Sequence, residues 1–386
     1  MGLRPSPLGA LFSAQFLSAF VDNMILFIAQ AIIVRDAYPA YYLPFVQSTF
    51  LASYILLSPW VGRFADKHAK ATVLIAGNVV KTAGVALLLA GVDPALGYAV
   101  VGVGAVIYSP AKYGILPFLT RGEEELLRAN SGLESYTILA ILAGSVAGGV
   151  LADLSITMAL VASIALYGVS VAINTLIPKD AGNRTITYGN AVGGFFADTA
   201  TLLRNPQSHF SLIGTGSFWM ASAVLRMIIF AWVPLTLGIT GGTEISMIVA
   251  VTGIGIAIGA IATPWLISIG TYRRTVWFGL GMGLGILAFL KVTTLPVTVA
   301  LLLAVGALGG IYIVPMNACL QQVGHHSIGT GKTIAVQNFL ENIFMFLGVS
   351  AYTLAAKAGV ATSVSLAATG VAMLLLVGYL WVQTRR

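Results

Sequence analysis

Six ionisable residues stand within long apolar stretches of this sequence, where a charged side chain is costly. Three are cations and three are anions, namely Asp22, Lys81, Lys112, Glu134, Arg226 and Glu341. Each would cost about 2.5–3.5 kcal/mol at the centre of a lone membrane helix, so they must face one another or a water-filled cavity. A polar, nearly neutral cavity suits a zwitterionic ligand, with lysine or arginine on its phosphate and carboxylates on its ammonium. The alternative is a purely structural role as ion pairs, although apolar residues would pack as well or better.

Amide side chains share helical faces with some of these charges. Residues three or four apart lie on one face of a helix. The pairs at this spacing are Asn78 with Lys81, Asn317 with Gln321, and Gln337 with Glu341. We therefore predict a path of polar groups through the apolar segments, and we assign these residues to substrate binding together with the six charges.

Metal, cofactor and enzyme chemistry find little support in the sequence. Cys319 is the single cysteine, and no histidine has a cysteine partner at ligand spacing; the four histidines are His68, His209, His325 and His326. We also find no nucleophile paired with a base. The expectation is a protein without a metal, a cofactor or a catalytic residue.

Composition places these residues in a membrane protein. Of 386 residues, 58% are hydrophobic and 9% charged, against about 25% charged in a typical soluble domain. The net charge of +7 could suggest nucleic acid, but the basic residues fall mostly in short loops between apolar runs. Basic residues distributed in this way are typical of the loops of a membrane protein, so we expect no nucleic-acid partner.

The fold class predicted is an all-α membrane protein with twelve transmembrane helices. A bilayer core of ~30 Å requires about 20 apolar residues per helix. The predicted segments cover 8–34, 44–62, 72–91, 95–118, 128–152, 156–177, 209–238, 244–268, 275–291, 296–320, 331–356 and 360–382.

Lysine and arginine predict the orientation of these segments, since basic residues concentrate in cytoplasmic loops. With both termini cytoplasmic, the outer loops hold only Arg35, Lys291 and Lys357. The inner loops and ends then hold Arg4, Arg63, Lys67, Lys70, Arg121, Arg128, Lys179, Arg184, Arg204, Arg273, Arg274, Arg385 and Arg386. This asymmetry predicts a multi-pass protein with both ends inside.

The two halves of the chain look like copies of one another. Asp22 aligns with Arg226, and Glu134 aligns with Glu341, at offsets of 204 and 207 residues. Two six-helix halves related by a pseudo-two-fold axis, with substrate bound between them, form the major facilitator fold. We predict an N-terminal half at 1–178, a cytoplasmic linker at 179–208 and a C-terminal half at 209–386.

Four strings spread over nearly the whole chain resemble the bacterial lysophospholipid transporters of this superfamily. They are Ala14-Gln-Phe-Leu-Ser-Ala-Phe-Val-Asp-Asn23, Tyr108-Ser-Pro-Ala-Lys-Tyr-Gly-Ile-Leu116, Gly144-Ser-Val-Ala-Gly-Gly-Val-Leu-Ala-Asp153, and Ala335-Val-Gln-Asn338 with Glu341-Asn342. The resemblance adds Asn23 and Asn338 to the predicted substrate-binding set. Gly62-Arg-Phe-Ala-Asp66-Lys67 looks like a shortened version of the general facilitator loop motif. Asp66, with Lys67 and Arg63, is a candidate latch against a neighbouring helix end, and the alternative is ordinary solvated charge.

The resemblance implies transfer of lysophospholipid, chiefly the ethanolamine form, from the outer to the inner leaflet of the bacterial inner membrane. A separate acyltransferase would then restore the missing chain, and the transporter itself is expected to be a monomer among membrane lipids. We expect alternating access, with Asp22 and Arg226 as an outer gate or head-group contact and Asp66 as a second gating residue. The rival interpretation is proton-coupled efflux of drugs or other amphiphiles, with Asp22 or Glu134 carrying the proton.

Overall fold

A computed structural model describes residues 6–38, 42–239 and 242–384, and all regular structure in these ranges is helical. The helices are α1 Pro7–Arg35, α2 Tyr42–Lys67, α3 Lys70–Leu89, α4 Pro94–Gly114, α5 Leu116–Leu119, α6 Glu123–Leu154, α7 Ile156–Asn174, α8 Ala191–Arg204, α9 Pro206–Leu237, α10 Gly242–Leu266, α11 Thr275–Ala288, α12 Leu295–His325, α13 Thr330–Lys357 and α14 Thr362–Thr384. Short 3-10 helices at Ile269–Arg274 and Phe289–Lys291 flank α11.

The predicted all-helical membrane fold is confirmed. Within the described ranges, 11 helical spans are long and apolar enough to cross a membrane. The predicted second segment coincides with α2, a further helix of 26 residues whose apolar run is interrupted by Gln47, Ser48 and Thr49. Of the residues used to predict orientation, Arg4, Arg385 and Arg386 lie outside the described ranges.

Helix ends differ from the predicted segment ends where polar residues continue a helix beyond the apolar run. The acidic residues Glu123 and Glu124 occupy the first turn of α6, where the positive end of the helix dipole stabilises carboxylates. The helix therefore begins earlier than the predicted segment 128–152. The linker also contains a helix, α8, which buries Phe195 and Leu202 as its amphipathic sequence predicts.

The described residues group by proximity into two compact units. Unit 1 contains those of Met1–Arg121, Leu139–Thr201 and Gly324–Phe339, and unit 2 those of Gly122–Ile138, Leu202–Val323 and Leu340–Arg386. The helices α6, α8, α12 and α13 thus contribute residues to both units. This grouping follows contacts instead of chain order, and the division into halves at 1–178 and 209–386 stays a prediction.

The N-terminal part of unit 1 is built on five helices, α1, α2, α3, α4 and α7. Helix α3 packs on α4 and α7, α1 packs on α7, and α2 packs on α4. Their shared core is mostly aliphatic, and its fully buried members include Met24, Ile25, Ile28, Val85 and Val101. In unit 2, α14 packs on α9 and α11, and α9 also contacts α10.

Small residues allow α6 to approach α1 within unit 1. A Cβ atom added at Gly148 would lie 2.6 Å from the carbonyl oxygen of Met24, and one at Gly144 would overlap the carbonyl of Phe20. Glycines four residues apart favour such close contact between membrane helices. The same holds in unit 2, where Gly255 and Gly259 lie against the backbone of α12.

Two adjacent glycines of α6 give a matched test of this contact. We expect Gly148→Ala to destabilise the fold by about 1–3 kcal/mol, because the added methyl group overpacks against Met24. At Gly149 a Cβ atom would have nothing within 4 Å, so Gly149→Ala should stabilise the helix by about 0.5–1 kcal/mol. Unfolding midpoints of both variants in detergent check this, and equal midpoints would contradict it.

Candidate substrate site

The centre of unit 1 holds an ion pair between Asp22 of α1 and Lys81 of α3. The Lys81 Nζ donates to Asp22 Oδ2 over 2.7 Å, and the Tyr167 hydroxyl of α7 donates to Asp22 Oδ1 over 2.5 Å. Asp22 thus accepts one hydrogen bond on each oxygen. Since an ionised carboxylate offers about four lone-pair positions, roughly two remain for another donor.

The two partners of this pair differ in accessibility. The Asp22 side chain is 20% exposed, whereas that of Lys81 is 1% exposed. Ion pairing is what allows a buried lysine to remain charged, because removal from water is otherwise very costly. An approaching ligand would therefore meet the carboxylate and not the ammonium.

Two aromatic rings and a glycine complete the environment of Lys81. Its ammonium lies 4.6 Å from the ring centroid of Tyr108 and 5.7 Å from that of Tyr167, and such ring faces attract cations. A Cβ atom at Gly104 would lie 2.5 Å from Lys81 Cγ. The absence of a side chain at Gly104 therefore makes room for the lysine stem between α3 and α4.

A chain of hydrogen bonds extends from Lys81 through three helices. Lys81 Nζ donates to Ser18 Oγ over 2.8 Å, Ser18 donates to Asn78 Oδ1 over 2.8 Å, and Asn78 Nδ2 donates to Ser170 Oγ over 2.9 Å. Ser170 then donates to the carbonyl of Ala14 over 2.8 Å. Asn78 is fully buried, and both the oxygen and the nitrogen of its side-chain amide are used in this chain of hydrogen bonds. We therefore regard it as a positioning residue for the Asp22–Lys81 pair.

Other residues of unit 1 that were predicted to bind substrate lie apart from these hydrogen bonds. Asn23 donates to the carbonyl of Ala19 in its own helix over 2.8 Å, and Lys112 Nζ lies 4.7 Å from the ring centroid of Tyr113. Asn338 of α13 donates to Ser109 of α4 over 2.9 Å. The neighbouring Gln337 is buried in the same helix.

In unit 2, Gln321 of α12 and Asn130 of α6 form a reciprocal amide pair. Gln321 Nε2 donates to Asn130 Oδ1 over 2.7 Å, and Asn130 Nδ2 donates back over 3.0 Å. The remaining predicted polar residues of this unit, Glu134, Asn317 and Glu341, are all buried. Substrate contact by these side chains stays a prediction.

Arg226 of α9 differs from the other predicted cations because it is exposed. Among the described residues of unit 2, no carboxylate forms an ion pair with it within 4.0 Å. An exposed arginine at membrane depth is tolerated where it reaches water, since contact with lipid tails would be costly. The role of Arg226 and Asp22 as an outer gate or head-group contact stays a prediction, and the structure gives the Asp22 carboxylate two partners, Lys81 and Tyr167.

Asp66, at the end of α2, caps the start of α13. Its two carboxylate oxygens accept from the backbone N–H groups of Gly331 over 2.7 Å and Lys332 over 2.9 Å. Such first-turn N–H groups have no partner within their own helix. A buried carboxylate at this point also stabilises the positive end of the helix dipole.

The linker reinforces this contact within unit 1. Lys70 Nζ lies 3.8 Å from Asp66 and 3.1 Å from Asp180 of the linker, and Asn183 N–H donates to the Asp66 carbonyl over 2.8 Å. Asp198 of α8 lies 3.6 Å from Lys332 Nζ. The ends of α2 and α13 are thus held by charges from three segments.

Sequence reasoning missed several residues of these networks. Ser18 lies four residues before Asp22 and shares its helical face, a spacing that could have indicated it. Tyr167 and Ser170 are the polar residues of a strongly apolar segment, which is a weaker signal. No spacing indicated Asp180, because its partner Lys70 is 110 residues away.

Long apolar helices that enclose buried charges are typical of polytopic membrane transporters. The comparisons agree, since residues 11–349 match the sequence model of the Major Facilitator Superfamily. The crystal structure of the human organic anion transporter MFSD10 (TETRAN) superposes with a TM-score of 0.76 at 13% identity, over 98% of this chain and 100% of that one. That likeness concerns the fold alone.

Two similar proteins are much nearer in sequence, and both are named lysophospholipid transporter LplT. The protein of Klebsiella pneumoniae is 41% identical over 98% of this chain and 96% of its own length. That of Escherichia coli O1:K1 is 42% identical over the same shares of the two chains. The chain belongs to the Major Facilitator Superfamily and, within it, to the family of bacterial lysophospholipid transporters.

Proposed function

We propose that this chain transports lysophospholipids of the lysophosphatidylethanolamine type from the outer to the inner leaflet of the bacterial inner membrane by alternating access. The observation that carries the proposal is the Asp22–Lys81 pair, in which the carboxylate is 20% exposed and its lysine partner 1%. Names of relatives at 41–42% identity support the same substrate class.

The geometry of Asp22 favours a primary ammonium over a quaternary one. An ethanolamine head group carries three N–H donors that can reach the open lone pairs of the carboxylate. A choline head group has no such donor and can interact with Asp22 only through its charge. The expected order of preference is therefore ethanolamine before choline.

Arg226 would supply the complementary contact to the phosphate. Its guanidinium can bind a phosphate through two parallel hydrogen bonds, and it is exposed without a carboxylate partner among the described residues of unit 2. The polar side chains of the other predicted binding residues would contact the remaining atoms of the head group. Lys112 would add a second cation. Asn78 acts through the Asp22–Lys81 pair.

Asp66 serves in this proposal as a cytoplasmic latch. Its hydrogen bonds to the first turn of α13 hold that end of the helix against α2. Breaking them would free the cytoplasmic ends of both helices, which an inward-open state requires. Gating by Asp22 and Arg226 at the outer side remains part of the proposal and is tested by the same transport assays.

The proposed setting rests on the predicted topology and on what the family resemblance implies. We place both termini in the cytoplasm, the protein in the inner membrane as a monomer, and re-acylation in a separate acyltransferase. The chain itself would carry out no covalent chemistry. Among the described residues, no group of three histidine, cysteine or acidic side chains comes together as a metal site.

Head-group competition in proteoliposomes tests the substrate and the site together. Unlabelled lysophosphatidylethanolamine should inhibit uptake of the labelled lipid most strongly, and lysophosphatidylcholine should inhibit it least. Arg226→Gln should weaken apparent affinity about tenfold to a hundredfold, because hydrogen bonds to charged groups contribute about 1.5–3 kcal/mol. Arg128→Gln, which removes an exposed arginine paired with Glu124, is the matched control.

The same vesicles distinguish the rival function. Movement of amphipathic drugs that depends on an imposed proton gradient, without movement of lysolipid, would favour proton-coupled efflux and refute the proposal. Equal loss of affinity in the Arg226 and Arg128 variants would remove Arg226 from the binding site.

A further inference from the structure

A stripe of four polar side chains runs along one face of α7. Its members are Ser163, Tyr167, Ser170 and Asn174. Their spacing of three or four residues places them on the same side of the helix, and all four are completely buried. Ser163 donates to the carbonyl of Ala159 over 2.8 Å, while Tyr167 and Ser170 belong to the hydrogen-bond network around Asp22 and Lys81. Asn174 is the member of the stripe whose partner has to be identified.

Both polar atoms of the Asn174 side chain lack a hydrogen-bond partner among the described residues. Exchanging the amide oxygen and nitrogen, which are easily confused, gives no remedy because neither atom has a partner. A buried amide without hydrogen bonds is costly. The large majority of buried polar side-chain atoms are therefore satisfied by protein or by ordered water. The Asn174 amide thus points to a small bound molecule.

The Tyr108 hydroxyl of α4 is a second unsatisfied group at this place. It is buried, and no described residue forms a hydrogen bond with it. The side chains of Asn174 and Ser18 interact with it electrostatically but lie outside hydrogen-bond geometry. Tyr108 also packs tightly on α3, where a Cβ atom at Gly77 would lie 2.8 Å from Tyr108 Cβ. Polar groups that face one another across such a gap are commonly connected by a bridging water.

We infer that Asn174, Tyr108 and Ser18 bind a buried water molecule. A water both donates and accepts, so it can accept from Asn174 Nδ2 and donate to the oxygens of Tyr108 and Ser18. Ser18 Oγ has a lone pair left for this bond, because it accepts once, from Lys81, and donates to Asn78. Buried waters usually make about three hydrogen bonds, which is the number that these three groups supply.

Other small ligands fit this set of groups less well. A metal cation would bind Asn174 Oδ1 but offer no acceptor to Nδ2. The Lys81 ammonium, 4.6 Å from the ring centroid of Tyr108, would also repel it. An anion has the opposite fault, because it offers no donor to the amide oxygen. A lipid head group cannot reach Asn174 without rearrangement, since this side chain has no exposed surface. Water is the ligand that can satisfy both kinds of amide atom.

The bound water extends the Lys81 network to the end of α7. Asn174 is the last residue of that helix, and the water joins its amide through Ser18 to Lys81 and from there to Asp22. Three helices of unit 1 that carry no charge at this level, α1, α4 and α7, thus share one hydrogen-bonded centre. The site does not depend on the identity of the transported lipid, so its test needs no transport assay.

Hydroxyl-radical footprinting of the purified full chain in detergent tests the inference. X-rays produce radicals from water, so a buried tyrosine is modified when a water is bound beside it. We expect modification of Tyr108, which is 2% exposed, and none of Tyr312, an equally buried tyrosine whose hydroxyl lies 3.1 Å from Ser217 Oγ. After mixing with water labelled with a heavy oxygen isotope, exposed Tyr188 should carry the label at once and Tyr108 only after a delay. Equal absence of modification at Tyr108 and Tyr312, or labelling of Tyr108 as fast as that of Tyr188, overturns the inference.

Two variants make the result specific to the proposed groups. Asn174→Leu removes the amide and fills the space with an apolar side chain, so the modification of Tyr108 should be lost. Ser163→Ala removes another buried polar group of the same stripe, one that bonds within its own helix, and should leave the modification of Tyr108 unchanged. Should Asn174→Leu fail to fold, the comparison of Tyr108 with Tyr312 in the wild type still decides. Undiminished modification of Tyr108 in a folded Asn174→Leu variant, or equal loss in both variants, refutes the water site.

Discussion

Replacing Asp22 by asparagine is expected to destabilise the chain by about 3–5 kcal/mol and to abolish lysolipid uptake. The change removes the negative partner of Lys81, whose side chain is 1% exposed, and a buried charge left without its partner is strongly destabilising. The carboxylate proposed to bind the substrate ammonium is lost at the same time. Chemical unfolding in detergent micelles measures the first effect, and uptake into proteoliposomes measures the second.

Lys81→Met is the control for this prediction. It leaves Asp22 without its cation, but the Asp22 side chain is 20% exposed and still accepts from Tyr167. Water can therefore solvate part of the remaining charge, and we expect a smaller loss of stability than in Asp22→Asn. If Asp22→Asn were as stable as the wild type, the buried Lys81 ammonium would not need the Asp22 carboxylate for stability, which would contradict the prediction.

Asp66→Ala is expected to release the start of α13 from the end of α2. It removes the carboxylate that accepts hydrogen bonds from the backbone N–H groups of Gly331 and Lys332, each contributing about 1.5–3 kcal/mol. A shift of about 3 kcal/mol changes a conformational equilibrium more than a hundredfold. Transport should slow, because the transport cycle would then rarely pass through the conformation in which α2 and α13 are joined by this contact.

Electron spin resonance can measure this release directly. In a Cys319→Ser background, spin labels on Trp60 of α2 and Ser327 just before α13 should give a longer distance in Asp66→Ala than in the unchanged chain. Asp180→Asn is the matched control, since Asp180 pairs with Lys70 without a described contact to α13. An unchanged distance distribution in Asp66→Ala would remove the latch from the proposed mechanism.

The helical membrane fold could be predicted because apolar runs and polar loops alternate along the whole chain. The length of α6 could not, since its first turn carries Glu123 and Glu124 and so escapes any search for apolar residues. The 3-10 turns around α11 were also missed. The one at Ile269–Arg274 begins with a capping box formed by Ser268 and Thr271, and a hydropathy pattern does not reveal such caps.

The sequence identified Asp22 and Lys81 as costly buried charges but not as partners. Their pairing depends on the register between α1 and α3, which neither helix encodes alone. The repeat favoured Arg226 as the partner of Asp22, since the two occupy equivalent positions in the predicted halves. Equivalence by repeat, however, implies similar surroundings in each half and does not require contact. Asp22 on α1 and Lys81 on α3, by contrast, belong to helices of the same unit.

The sharpest test of the binding role of Asp22 is lysophosphatidylethanolamine uptake by the double variant Asp22→Asn/Lys81→Met in proteoliposomes. Both charges are removed, so the stability lost in Asp22→Asn should largely return, because replacing a buried ion pair by uncharged residues of similar volume is often neutral. We predict a folded protein that takes up no lysolipid above the background of empty vesicles. Uptake at the wild-type rate would show that the pair is structural only and that the substrate binds elsewhere.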